Sequence, residues 1–303
     1  MSEFILHHYA YSPYSEKIRA MLAYAGVDWL SVIHKEMPPR PFLEPLAGSY
    51  GRIPVAQIGA DVFCDSNIIA AEIARISNKP ELDLANADSD MLAFVDKVEG
   101  KIFFACVLGG GSAQLRNRIR KTMSLWDIAR FFVDRIKMGA TATTDNMIKL
   151  TDAKKIILQH LKEMEELLQD DFVFGSKPTI ADFSAYHSLW FVRDLGELKY
   201  MNDYPKVCAW MDRVKNLGHD NSKEISGAEA LSIAKKSKPR DVGKFVNSEK
   251  TVAVGPADYR QQKTSGKLVF EDGRRWVLAR EHDKTGLVHV HFPKRNYILE
   301  TKS

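Results

Sequence analysis

Apolar residues in the first eighty positions fall into short runs broken by proline and glycine, and the period changes from run to run. Phe4-Ile5-Leu6-His7-His8-Tyr9 is a β-branched and aromatic run that predicts a strand. Pro13 ends it, because proline offers no ladder donor and restricts the residue before it. Ile18, Met21, Leu22 and Ala25 then recur at helical spacing and predict a helix from Glu16 to Ala25, with Ser15 as N-cap and Gly26 as stop. Val27 to His34 returns to strand character. A loop with Pro38, Pro39, Arg40, Pro41 and Pro45 leads to a strand over Gly51–Gly59, opened by an Ile53-Pro54 bond. Gly59-Ala60-Asp61 turns into Val62-Phe63-Cys64, and Asp65-Ser66 opens a helix to about Ile76. The order is β-α-β, a proline-rich connection, then β-β-α: a small α/β module with a crossover and a closing hairpin.

The pattern turns helical after the polar connection Pro80–Asp88. Met91, Val95, Val98 and Ile102 recur at steps of four, three and four. Gly109-Gly110-Gly111 interrupts them; no Lys-Ser/Thr pair follows, so it does not read as a phosphate loop. Arg116, Arg118, Arg120 and Lys121 form a basic amphipathic stretch that reads as a solvated helix face. Trp126, Ile128, Phe131 and Phe132 predict another helix ending near Met138-Gly139. A long helix starts at Thr151, striped by Ile157, Leu161, Met164 and Leu168. Thr179 and Asp182 are spaced as a capping box for the helix after Lys177-Pro178.

The last eighty residues differ. Ser222–Lys244 is polar with a short helix around Ala228–Lys236, and the rest is strand-like. Lys267–Phe270, Arg274–Arg280, Leu287–Pro293 and Asn296–Glu300, separated by turn residues, predict an antiparallel meander of three or four strands. His289 and His291 project from one face of a strand; without a third ligand by spacing they read as a polar sheet face, and no metal is expected.

Composition bounds the function. The chain has 303 residues, 45% hydrophobic and 27% charged, which is ordinary for a globular protein and excludes a wholly disordered one. No apolar run reaches the ~18 residues that a membrane span needs, and the first residues lack the pattern of an export signal, so a cytoplasmic protein with no membrane partner is expected. Cys64, Cys106 and Cys208 are odd in number and far apart, which suits a reducing compartment. The net charge of +4 hides a break: residues 222–303 carry 17 Lys+Arg against 10 Asp+Glu, and the preceding residues are slightly acidic. No stacking-aromatic motif accompanies the basic segment, so a nucleic-acid partner is not expected.

Candidate chemistry gathers at the start. Ser12-Pro13-Tyr14-Ser15, at a strand-to-helix turn, resembles a glutaredoxin-type C-P-Y-C motif with both cysteines replaced by serine. Arg52-Ile53-Pro54-Val55, with Asp65-Ser66 eleven residues beyond the proline, is similar to the glutathione-binding half of cytosolic glutathione transferases. Lys177–Phe183 and Tyr204–Trp210 with Arg213 resemble the capping motif and last common helix of that family's helical domain. The basic tail resembles C-terminal tails on some bacterial transferase-like proteins. The resemblance covers about 3–217 and departs at 107–150, which is longer and more basic than the family pattern and is where its electrophile pocket is built.

The resemblance implies a thioredoxin-like α/β domain over 1–79, an all-helical domain over 86–220 that supplies the electrophile pocket, and a β-rich extension over 221–303. It implies that Ile53 before a cis-Pro54 pairs its backbone with glutathione, that Asp65 and Ser66 hold the γ-glutamyl end, and that Arg52 lies in the same binding motif. The partners it implies are glutathione, as co-substrate with no other cofactor, a small electrophile, and a second copy of the chain in a homodimer.

Ser12 sets the branch of chemistry. A serine cannot form a mixed disulfide, so thiol–disulfide exchange is excluded at this motif. Its hydroxyl can donate to a bound thiolate. A thiol with pKa near ~8.5 must fall by about two to be largely ionised at neutral pH, roughly 2.7 kcal/mol. A charge-assisted hydrogen bond contributes ~1.5–3 kcal/mol, so one hydroxyl and a helix N-terminus suffice. Serine-type members of the family place this residue just before the proline, which points to Ser12, with Tyr11 as the alternative. Three activities stay open: glutathione conjugation, a glutathione-dependent lyase or isomerase reaction, and non-enzymatic glutathione binding or scaffolding.

Overall fold

The computed structural model describes residues 3–122, 148–243 and 250–301. They divide into two compact units, one of residues 1–15, 27–69 and 221–303, the other of residues 16–26 and 70–220.

The first unit is built on one sheet. Strands β1 (Phe4–His8), β2 (Trp29–Ile33), β3 (Val55–Ile58) and β4 (Asp61–Cys64) lie in the order β2-β1-β3-β4. β1 runs parallel to β2 and antiparallel to β3, and β3 and β4 form the hairpin that the turn Gly59-Ala60 predicts. Helices α1 (Pro13–Ala25), α2 (Glu44–Ala47) and α3 (Ser66–Ser77) follow β1, β2 and β4, so the thioredoxin-like order holds, with residues 16–25 of α1 and 70–77 of α3 counted in the second unit. The short α2 lies where the prolines predict only a loop; Pro45 is at its start, where proline's fixed φ is tolerated.

The β-rich extension does not stand apart as a third body. Strands β6 (Thr251–Pro256), β7 (Thr264–Glu271), β8 (Arg275–His282), β9 (Gly286–Pro293) and β10 (Tyr297–Thr301) continue the same sheet, and β5 (Ser222–Glu224) adds to its other edge beside β2. The order is β10-β6-β7-β8-β9-β4-β3-β1-β2-β5. β9 lies parallel to β4, with Asp61 opposite His289 and Phe63 opposite His291. Val288, Val290, His291 and Phe292 are fully buried, which fits an interior strand rather than a polar sheet face. One core joins both parts: Val55, Val62 and Cys64 of the first strands pack with Val252, Leu278, Val290 and Phe292 of the extension. A helix after β5, Gly227–Lys236, opens on the capping box of Ser226 and Glu229 and buries Ala230, Leu231 and Ala234 against this sheet.

The second unit is helical. After α3 come α4 (Ser89–Lys97), α5 (Phe103–Gly109), α6 (Ala113–Thr122), α7 (Leu150–Leu167), α8 (Ile180–Trp190) and α9 (Pro205–Lys215), which makes the Gly227–Lys236 helix α10. All eleven residues of α8 are buried, so it is the central helix of the unit. Asp182 accepts from the backbone of Thr179 at 2.8 Å and of Val173 at 2.9 Å, and from Trp210 Nε1 at 2.9 Å, tying α8 to α9 through the predicted capping box. Arg116, Arg120 and Lys121 on α6 are exposed, whereas Arg118 pairs with Glu197. The helix predicted around Trp126–Phe132 lies outside the described residues.

Candidate functional site

Strand direction brings the predicted site residues to one end of the sheet. His7 near the end of β1 is opposite Val55 at the start of β3, and Val55 is opposite Cys64 at the end of β4. The turn holding Tyr11 and Ser12, the Ile53-Pro54 pair and Asp65-Ser66 therefore emerge together. The Ile53-Pro54 bond is cis.

Ser12, rather than Ser15, caps α1. The helix begins at Pro13, and Ser12 Oγ accepts the backbone N–H of Ser15 at 3.2 Å. That bond uses a lone pair and leaves the hydroxyl hydrogen to donate elsewhere. The Ser15 hydroxyl is fully buried and has no hydrogen-bond partner among the described residues. The apolar period alone places the helix start at Glu16, because Pro13 and Tyr14 do not extend the stripe; a proline at the first helical position is the signal for the earlier start. Tyr11 is half-buried in the same turn.

Asp65 has a positive φ of 104°, and each of its carboxylate oxygens accepts a hydrogen bond. Oδ1 accepts the Asn67 N–H at 2.9 Å, a helix cap for α3. Oδ2 accepts the Tyr297 hydroxyl at 3.1 Å, and the Tyr297 and Tyr50 hydroxyls are 2.9 Å apart. Ser66, the first residue of α3, is buried.

Arg52 is engaged by the extension. Its guanidinium pairs with the Asp258 carboxylate, donates to the Tyr259 carbonyl and lies 3.9 Å from the centroid of the Tyr259 ring. Arg260 donates to the Gly51 carbonyl at 3.3 Å, and a Cβ on Gly51 would sit 3.0 Å from Gln262 Oε1. The segment between β6 and β7 thus lies against the approach to Pro54. Spacing within the first eighty residues gives no sign of Tyr50, Asp258, Tyr259 or Tyr297. The only sequence signal is Asp258-Tyr259-Arg260, a charged and aromatic group in a loop between strands, where site residues are often carried.

The histidine pair of the extension is engaged within the sheet. His291 Nε2 meets Asp61 Oδ1 at 2.8 Å and its ring stacks on Phe63, while His289 is half-buried. Among the described residues no group of three or more His, Cys, Asp or Glu is placed to hold a metal ion, and no helix is long and apolar enough to cross a membrane. Cys64, Cys106 and Cys208 are free, and burial pushes all three thiols up, away from the thiolate form.

The profile of the glutathione S-transferase N-terminal domain matches residues 6–81, and that of the glutathione S-transferase C-terminal domain matches residues 132–213. The chain belongs to the glutathione S-transferase family. A GST-like protein from Pseudomonas syringae is 28% identical with a TM-score of 0.79, and the match covers 100% of both chains, extension included. A glutathione S-transferase from Sinorhizobium meliloti 1021 is 20% identical over 71% of this chain and 88% of its own, at a TM-score of 0.49. The β-etherase LigF from Sphingobium sp. strain SYK-6 is 15% identical over 72% of this chain and 98% of its own, also at 0.49. No curated protein matches the chain. Relative to the transferase domains, the additions in this member are β5 and β6–β10, which extend the N-terminal sheet at its two edges, and α10, which packs against it.

Proposed function

We propose that this protein is a glutathione transferase in which the glutathione thiolate, held by Ser12, attacks the electrophilic carbon of a small substrate. The observation that carries the reading is the Ser12 hydroxyl at the N-terminus of a 13-residue helix, on the same sheet end as Ile53-Pro54 and Asp65-Ser66. The helix N-terminus favours an anion, and the Ser12 hydrogen is available to the sulfur because the cap uses only a lone pair. Asp65 supplies the charge opposite to an α-ammonium group, and Ser66 and the first N–H groups of α3 suit a carboxylate. Attack forms a C–S bond, and the leaving group departs with the electron pair of the bond that breaks. Glutathione is the co-substrate, and the reaction needs no metal or redox group. Arg52 is the weakest part of the predicted set, because Asp258 already meets its charge.

Retention on immobilised glutathione and a conjugation assay test the proposal. Wild type is expected to be retained. Ser12→Ala is expected to lower kcat/KM about 10- to 100-fold, the range of one charge-assisted hydrogen bond, and to raise the pH at which bound glutathione ionises. Ser15→Ala, which removes a hydroxyl without a partner, keeps the rate. No retention of wild type overturns the reading. Retention without turnover across varied electrophiles makes the protein a binder, and an unchanged Ser12→Ala rate moves the sulfur contact to Tyr11.

A further inference from the structure

We propose that Tyr297, delivered by strand β10 of the extension, is a positioning residue of the ligand site, holding the Asp65 carboxylate in place for an ammonium group. The inference rests on the reading of Asp65 given under the proposed function.

The direction of the hydrogen bonds is set by chemistry. An ionised carboxylate only accepts, so the Tyr297 hydroxyl donates to Asp65 Oδ2 at 3.1 Å. A phenol has one hydrogen, so the 2.9 Å contact between the two phenols is Tyr50 donating to Tyr297. Both rings are buried, at 5% and 6% exposure, and burial pushes both phenols well above their ordinary value, so both remain donors at any physiological pH. The chain Tyr50 to Tyr297 to Asp65 therefore has one polarity and ends on the carboxylate.

Phenylalanine at either position would fill the same space in the core that Val252, Phe292 and Leu299 share with them. What the hydroxyls add is orientation. With Asn67 on Oδ1 and Tyr297 on Oδ2, both oxygens of Asp65 are fixed, and so is the plane of the carboxylate. Its backbone stands at φ 104°, outside the usual range for a residue with a side chain, a conformation that persists only where the surroundings hold it. Tyr297 is itself fixed by sheet pairing with Pro256 and by its ring, 6.0 Å from that of Phe292. A site whose charged group is held by rigid neighbours loses less on binding than one that must order it.

The test compares glutathione with its des-amino analogue, in which hydrogen replaces the α-ammonium group, by calorimetry on wild type and Tyr297→Phe. Wild type is expected to bind glutathione more tightly than the analogue. Tyr297→Phe is expected to weaken glutathione about five- to tenfold and to leave the analogue within about twofold. Tyr50→Phe, which leaves the Asp65 contact and removes only its support, is expected to give a smaller loss of the same kind. Equal glutathione affinity in wild type and Tyr297→Phe overturns the proposal and leaves the proposed function standing. Equal weakening of both ligands also overturns it, because that marks a structural role. If wild type binds neither ligand, the proposed function fails and this inference with it.

Discussion

His291 Nε2 stands 2.8 Å from Asp61 Oδ1, a buried contact between residues 230 positions apart that closes the seam between β9 and β4. Burial holds the imidazole below its ordinary pKa, although the hydrogen bond to Asp61 opposes the shift, so the neutral ring donates to the carboxylate. The other Asp61 oxygen accepts the backbone N–H of Arg240 at 3.0 Å.

Asp61→Ala removes the acceptor from both donors at a buried position. Loss of about 2–4 kcal/mol of unfolding free energy is expected, with Asp61→Asn between it and wild type. Urea unfolding measures this. A change under about 0.5 kcal/mol would show that apolar packing of Val288, Val290 and Phe292 alone holds the seam.

A second expectation concerns acid. His7 is fully buried, 3.0 Å from His34 and 3.0 Å from Gln57 Oε1. Burial lowers His7 to about 4 and His34 to about 3, the latter with help from the charge of neighbouring His7 and Arg40. Because the folded values lie below the ordinary 6.5, the unfolded chain binds protons first as pH falls. The contribution is complete above the unfolded value and is lost as pH drops through 6.5 towards 4, by roughly 3 kcal/mol for His7 alone. His160 and His187 in the helical unit, each lowered to about 4 by burial, act in the same window. Denaturant midpoints across this range should fall steeply, and His7→Phe should make the slope shallower whatever its effect at neutral pH. An unchanged slope would remove His7 from the account.

A third expectation lies within the helical unit. Lys17 is fully buried with its ammonium 2.5 Å from Glu99 Oε1, which also accepts the Ser184 hydroxyl at 2.8 Å. Burial alone would raise the Glu99 carboxyl, but Lys17 outweighs it and holds the group below the ordinary range. Lys17→Met strands a buried carboxylate and should cost about 3–5 kcal/mol. Lys17→Met combined with Glu99→Leu should recover most of that loss, as a thermal-unfolding cycle would show.

Local chemistry made much of this legible in advance. The β-α-β and β-β-α order, the capping box of Thr179 with Asp182, and the ends of α3 and α10 all follow from period, caps and turn residues within a few positions of each other. A proline at a first helical turn reads equally as a strand stop, so the apolar period puts the start of α1 at Glu16 rather than Pro13. The strand Thr251–Pro256 escaped because Val252, Val254 and Pro256 sit among glycine and alanine with no clear alternation. The seam was illegible for a different reason. Leu287–Phe292 announces a strand, but nothing in it names β4 as its neighbour, since parallel pairing across so long a separation leaves no local mark. The same distance hid Tyr297 and Asp258 from a site read off the first eighty residues.

The seam also bears on the order of events during synthesis. A ribosome delivers β4 long before β9, with residues 70–220 of the helical unit between them. Until β9 arrives, β4 is an open edge able to pair with another chain, and Asp65 has no phenol to orient it. The N-terminal sheet, which leaves the ribosome first, is therefore finished only after the helices, and a nascent or shortened chain is open to edge-to-edge aggregation.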